Sequence, residues 1–110
     1  MSELEKRFHR YKDSKIAVYG LGAETERVLE EIGQKFQIIG LLDGYRDTGD
    51  LFGRPIISME QAIDAGVKLI LVAARPGSCK AIAKRIGSLC VEKQIDLFDV
   101  RGKNLCKIQK

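Results

Sequence analysis

Histidine is nearly absent from this 110-residue chain: His9 is the only one, and it sits among charges close to the N-terminus. The three cysteines, Cys79, Cys90 and Cys106, form no C-x-x-C pair. A structural zinc site needs four Cys or His ligands, so none is expected at these cysteines. Cys79 and Cys90 lie on one predicted helix, eleven residues apart. That is ~16 Å at 1.5 Å per residue, too far for a disulfide. Both fall on the apolar stripe of that helix, where a free cysteine acts as a small hydrophobe.

Long apolar runs are also missing. None approaches the ~20 residues that a membrane span requires. The opening stretch, Met1 to Arg10, alternates charges and lacks the apolar centre of a signal peptide, so the expected location is cytoplasmic. There is no G-K-[ST] phosphate loop, no G-x-S-x-G elbow and no Cys/His pair. Tyr11-x-x-x-Lys15 has the spacing of a dehydrogenase Tyr/Lys pair, but it precedes the first strand and is read as chance. Internal repeats and low-complexity stretches are absent too.

What is present is ordinary for one globular domain: 45% apolar and 31% charged residues. A chain this long removes roughly two-thirds of its unfolded surface from water. The net charge is +4, but its distribution argues against a nucleic-acid surface. Residues 1–15 hold five Lys/Arg against three acids, and residues 101–110 hold four against none. The span 16–100 is left with a net charge of −2, so the excess belongs to the tails.

Leu4, Phe8 and Tyr11 recur at i, i+4 and i+7, which predicts an amphipathic helix within residues 1–13. Ile16 to Tyr19 reads as a first strand. The helix after Gly22 carries Thr25, Val28, Leu29 and Ile32 on one face, with Gly33 as its stop. Phe36 to Leu42 is a near-continuous apolar run, the pattern of a parallel strand covered on both faces. Residues 44–54 read as loop, and Pro55 to Ile57 as a brief extended piece. Ser58-Met-Glu-Gln61 forms a capping box opening a short helix that Gly66 ends. Val67 to Ala73 is a third strand, broken at Arg75-Pro76-Gly77. Ser78 then caps a helix bearing Cys79, Ile82, Ala83, Ile86, Leu89 and Cys90, and Ile95 to Val100 is the fourth strand. The basic tail, 101–110, is expected to be loosely held.

Alternating strands and helices require right-handed crossovers. The simplest solution is a Rossmann-like three-layer α/β sandwich over residues 14–100. Its four-stranded, mainly parallel sheet has the order 2-1-3-4.

In that arrangement the ends of the first and third strands flank a topological switch point, where open α/β sheets bind ligands. The Gly20-x-Gly22 turn and Ala23 would present backbone N–H groups to a phosphate. Asp43 follows Gly22 by 21 residues, a suitable distance for a ribose contact. Arg75 would neutralise a phosphate and Ser78 would donate to one. Two residues oppose tight dinucleotide binding. Thr25 replaces the Gly or Ala that sets close helix packing. Glu24 occupies the first helical turn, where an acid gains ~0.3–1 kcal/mol from the helix dipole. A phosphate ~6 Å from it would lose on the order of 3 kcal/mol at an effective dielectric of 20.

Four segments together carry a family resemblance: Ile16-Ala-Val-Tyr-Gly-Leu-Gly22, Ile38-Ile-Gly-Leu-Leu-Asp43, Gly53-Arg-Pro-Ile-Ile-Ser-Met-Glu-Gln61 and Leu69-Ile-Leu-Val-Ala73. The chain resembles the N-terminal Rossmann-like domain of bacterial polysaccharide- and sugar-modification proteins. These include sugar acetyltransferases and nucleotide-sugar dehydratases and epimerases. A similar domain precedes some haloacid-dehalogenase-like hydrolases. The resemblance implies a nucleotide, dinucleotide or nucleotide-sugar held at Gly20, Gly22 and Asp43, with NAD(P) or a UDP-type ligand as the expected cofactor. Neither hexapeptide repeats nor a second catalytic domain follows within these residues. The expected function is therefore non-catalytic binding, serving a catalytic domain elsewhere in a parent protein. The rival reading is an interaction or dimerisation scaffold with a vestigial site, a homodimer included. An NAD-dependent oxidoreductase or epimerase fragment comes third, since no positioned acid or base is visible.

Overall fold

The computed structural model describes residues 1–106, and the last four residues of the expected basic tail lie outside the described residues. The N-terminal segment forms α1 (Glu3–Arg7) and a 3-10 turn (His9–Tyr11). Ser2 caps α1 by accepting from Glu5 N at 3.1 Å. The i, i+4, i+7 spacing buries Leu4, Phe8 and Tyr11. The rings of Phe8 and Tyr11 each sit 6.2 Å from that of Phe98, so this segment is a built part of the core.

Four strands make the main sheet: β1 (Lys15–Tyr19), β2 (Gln37–Leu42), β5 (Leu69–Val72) and β6 (Asp96–Asp99). They run parallel in the order β2-β1-β5-β6, the expected 2-1-3-4 when these four alone are counted. The central strands are β1 and β5, and Leu69, Ile70, Leu71 and Val72 are all fully buried because helices cover both faces. On one face α1 and α2 (Ala23–Ile32) pack with Ile16, Val18, Leu69 and Leu71. On the other, α3 (Met59–Ala65) and α4 (Pro76–Glu92) pack with Ala17, Tyr19, Ile70 and Val72.

Three local expectations change. The span 44–54 is not all loop: β3 (Asp50–Leu51) and β4 (Arg54–Pro55) form a small antiparallel hairpin. Its two turn residues, Phe52 (φ 53°) and Gly53 (φ 77°), are both left-handed, as a tight hairpin turn matching the strand twist requires. The chain then runs along the free edge of β2, where Ile57 N donates to Leu41 O at 2.8 Å.

The second change is the start of α4. It begins at Pro76, with Arg75 as N-cap, rather than at a Ser78 cap. Proline favours the first helical position, where no N–H is needed, and it holds the preceding residue extended. Arg75 accordingly sits at φ −67°, ψ 154°. Ser78 lies inside the first turn.

The third concerns the tail, which is anchored through Leu105 instead of loosely held. The buried Asp99 carboxylate accepts from Arg101 N at 3.0 Å and from Lys103 N at 2.9 Å. Phe98 and Asn104 pair in an antiparallel bridge along the β6 edge, and Leu105 is 1% exposed. Both edges of the sheet are thus partly covered by the chain itself, which blunts edge-to-edge association.

Candidate functional site

The end of β1 continues the ladder into the glycine turn. Gly20 N donates to Leu42 O at 2.9 Å, and Ala73 N donates to Tyr19 O at 3.0 Å, tying the turn to β2 and β5. Gly20 has φ 134°, where side chains rarely fit, and a Cβ there would meet Ala73 O at 2.7 Å. Its glycine is demanded by the fold.

Gly22 differs. It is the N-cap of α2 at φ −103°, and a Cβ there would meet nothing within 4 Å. The space that this glycine leaves open is not filled by the protein.

The turn forms one side of a cleft of about 620 Å³ at the C-terminal ends of β1, β2 and β5. A volume between roughly 300 and 1,000 Å³ is usual for a small-molecule site. All six residues singled out in the sequence line it: Gly20, Gly22, Ala23, Asp43, Arg75 and Ser78. Asp43 also has a local role, since its Oδ2 accepts from Tyr45 N at 3.0 Å and so braces its own turn.

Glu24 lines the cleft as well, but its carboxylate lies 3.8 Å from the Arg27 guanidinium on the exposed side of α2. Thr25 is fully buried beneath the turn, with its Oγ1 2.9 Å from the position of a Gly20 Cβ.

Eight further lining residues were not singled out in the sequence, among them the larger side chains Tyr19, Tyr45, Ile82 and Arg85. One signal was available, because Ser78, Ile82 and Arg85 recur at i, i+4 and i+7 and so share a face of α4. The Arg85 guanidinium stands 5.7 Å from the centre of the Tyr45 ring. Hydrogen bonding to Tyr19, and then to Tyr45, raises its pKa further above the ordinary arginine value.

Past Arg75 the cleft meets a smaller hollow of about 260 Å³, lined by Ala74, Pro76, Asp99, Val100 and Arg101. Among the described residues, no group of three or more His, Cys, Asp or Glu side chains is placed to hold a metal. No helix among them is long and apolar enough to cross a membrane.

No protein-family model matches the sequence, and no curated protein matches it. Solved structures are similar at the level of fold. UDP-D-quinovosamine 4-dehydrogenase from Vibrio fischeri aligns with a TM-score of 0.60 at 15% identity, over 78% of this chain and 76% of that one. The chain has a Rossmann-like fold. A Rex-family repressor aligns at 0.60 with 11% identity, over 86% of this chain and 48% of that one. A variant of GDP-perosamine N-acetyl transferase from Caulobacter crescentus, solved with CoA and GDP-perosamine, aligns at 0.55 with 16% identity. That alignment covers 76% of this chain and 40% of the transferase. Identities this low establish shared architecture alone.

Proposed function

We propose that this chain is a cytoplasmic binding module for a nucleotide, dinucleotide or nucleotide-sugar. It presents the ligand to a catalytic domain elsewhere and carries out no reaction of its own. The observation that supports this most is the convergence of Gly20, Gly22, Ala23, Asp43, Arg75 and Ser78 on one cleft at the switch point of the sheet. Phosphate oxygens sit on the backbone N–H groups of the glycine turn and the first turn of α2, where the helix dipole favours an anion. Asp43 accepts from ribose hydroxyls with the carboxylate oxygen its own turn leaves over. Arg75 and Ser78 hold a second phosphate oxygen from the start of α4.

Two of the three similar structures are named for enzymes acting on nucleotide-linked sugars, and this chain covers less than half of two of them. Those names accord with a sugar-modifying parent protein; a haloacid-dehalogenase-like parent, and NAD(P) or a UDP-type nucleotide as ligand, belong to the proposal on the sequence resemblance alone.

One observation favours the scaffold reading instead. Asp43 already has a structural task at Tyr45 N, so its position needs no ligand to explain it. A thermal-shift panel of NAD, NADP, UDP and UDP-sugars at millimolar concentration decides between them. A site filled at 100 times its dissociation constant stabilises the fold by about 2.7 kcal/mol, roughly 10 °C for a domain of this size. A selective shift supports binding, and a flat panel overturns it in favour of the scaffold.

A further inference from the structure

We infer that Arg85, seated between Tyr19 and Tyr45, selects the base of the bound nucleotide, favouring one with carbonyl acceptors, uracil or guanine, over adenine. The inference rests on the nucleotide reading of the cleft. A nucleotide runs phosphate, ribose, base. With phosphate on the Gly20–Ala23 turn and ribose at Asp43, the base reaches the lining residues beyond Asp43, which are Gly44, Tyr45, Ile82 and Arg85. Tyr45 is 89% exposed and offers an aromatic face at this wall. Ile82 supplies a buried apolar surface from α4.

Arg85 is held without a carboxylate partner among the described residues, whose ion pairs all involve other side chains. Its guanidinium stands over the Tyr45 ring and beside Gly44, on the side of the Tyr19 hydroxyl. A Cβ on Gly44 would lie 1.9 Å from Arg85 Nη1 and 3.5 Å from the Tyr19 hydroxyl oxygen, so the bare glycine is the seat of this group.

Guanidinium carries five N–H donors and no acceptor, so two tyrosines leave donors for a ligand. Guanine offers N7 and O6 side by side, and uracil offers its O4 and O2 carbonyls. Adenine places the N6 amino donor beside N7, so an arginine set for carbonyls meets a donor. Guanine thus gives the guanidinium two neighbouring acceptors and uracil its carbonyls, where adenine gives one acceptor beside a donor, and that difference in paired donors is the source of selectivity.

Calorimetric titration of UDP, GDP and ADP onto the wild-type chain, Arg85→Leu and Gly44→Ala tests this. UDP or GDP is expected to bind at least tenfold more tightly than ADP, and whichever leads identifies the base. Arg85→Leu should bring the preferred nucleotide to within threefold of ADP while ADP itself changes less than twofold. Gly44→Ala, which displaces the guanidinium without removing it, should reduce the preference in the same direction. Thermal unfolding of each variant confirms that it is folded. Equal wild-type affinities, or equal weakening of all three ligands in Arg85→Leu, overturn base selection and leave the nucleotide site standing. Failure of all three to bind the wild-type chain at millimolar concentration overturns this inference, and the panel of NAD, NADP and UDP-sugars then decides the site reading separately.

Discussion

The Thr25 hydroxyl lies 2.9 Å from the point that a Cβ on Gly20 would occupy. The two residues stand on opposite sides of one turn: Gly20 leaves β1, and Thr25 belongs to the first turns of α2. Thr25 thereby closes the space in which a side chain on Gly20 would lie. It also separates the two glycines, since Gly20 is compressed between Thr25 and Ala73 while Gly22 faces open space.

Gly20→Ala should therefore destabilise the fold whether or not a ligand exists. The new methyl meets Ala73 O at 2.7 Å at a backbone angle of φ 134°. Strain of this kind costs of order 1–3 kcal/mol, and a clash with backbone oxygen adds to it. The urea midpoint should fall by the equivalent of roughly 2–4 kcal/mol. An unchanged midpoint would show that the turn can relax.

Thr25→Val should move stability the other way. Thr25 Oγ1 is buried and has no hydrogen-bond partner among the described residues. Exchanging that hydroxyl for a methyl removes an unsatisfied polar group while keeping the β-branched shape, a gain of about 1 kcal/mol. Urea unfolding reads it directly, and a loss of stability would reveal a partner for the hydroxyl.

Gly22→Ser separates folding from binding. Gly22 caps α2 without a side-chain hydrogen bond, and nothing lies within 4 Å of its missing Cβ. A serine N-cap supplies the absent acceptor and should stabilise the fold by a few tenths of a kcal/mol. The same side chain fills the space proposed for a phosphate, so nucleotide affinity should drop at least tenfold. Equal affinity in the variant would mean that the space at Gly22 holds no ligand.

How much of this was legible before folding depends on how local the cause is. The α1 spacing of Leu4, Phe8 and Tyr11, the turn at Gly20 and the capping box at Ser58 are short-range patterns, and the chain follows them. The hairpin was hidden because Phe52 stands at a left-handed position usually given to Asn, Asp or Gly. Leu105 lay in a segment read by its charge, yet Asp99 folds that segment back over the β6 edge. Arg85 was missed because its partners, Tyr19 and Gly44, are distant in sequence and meet it only through the crossover.

Asp43→Asn distinguishes a ligand-binding acid from a turn brace. Asparagine retains an oxygen to accept from Tyr45 N, now 3.0 Å from Asp43 Oδ2, so stability should stay within about 0.5 kcal/mol. A neutral amide is a weaker acceptor for ribose hydroxyls than a carboxylate. Affinity for UDP or NAD, whichever binds the parent chain, should fall about tenfold by calorimetry. Unaltered affinity would assign Asp43 to the turn alone.

The buried thiols make stability fall at alkaline pH. Burial pushes Cys90 from an ordinary 9.0 up to about 12, with Cys106 adding to the effect, and burial raises Cys79 and Cys106 as well. A pKa raised by folding means that the native state keeps a proton which the unfolded chain releases. The stability linked to Cys90 is complete below pH 9 and is lost as pH climbs from there toward 12. Near pH 10.5 the loss from this one thiol should be about 2 kcal/mol. Urea midpoints measured from neutral pH upward should decline above pH 9, and Cys90→Ala should start lower, through its small cavity, but decline less steeply. Parallel curves for the two proteins would show that Cys90 ionises in the folded chain as readily as in the unfolded one.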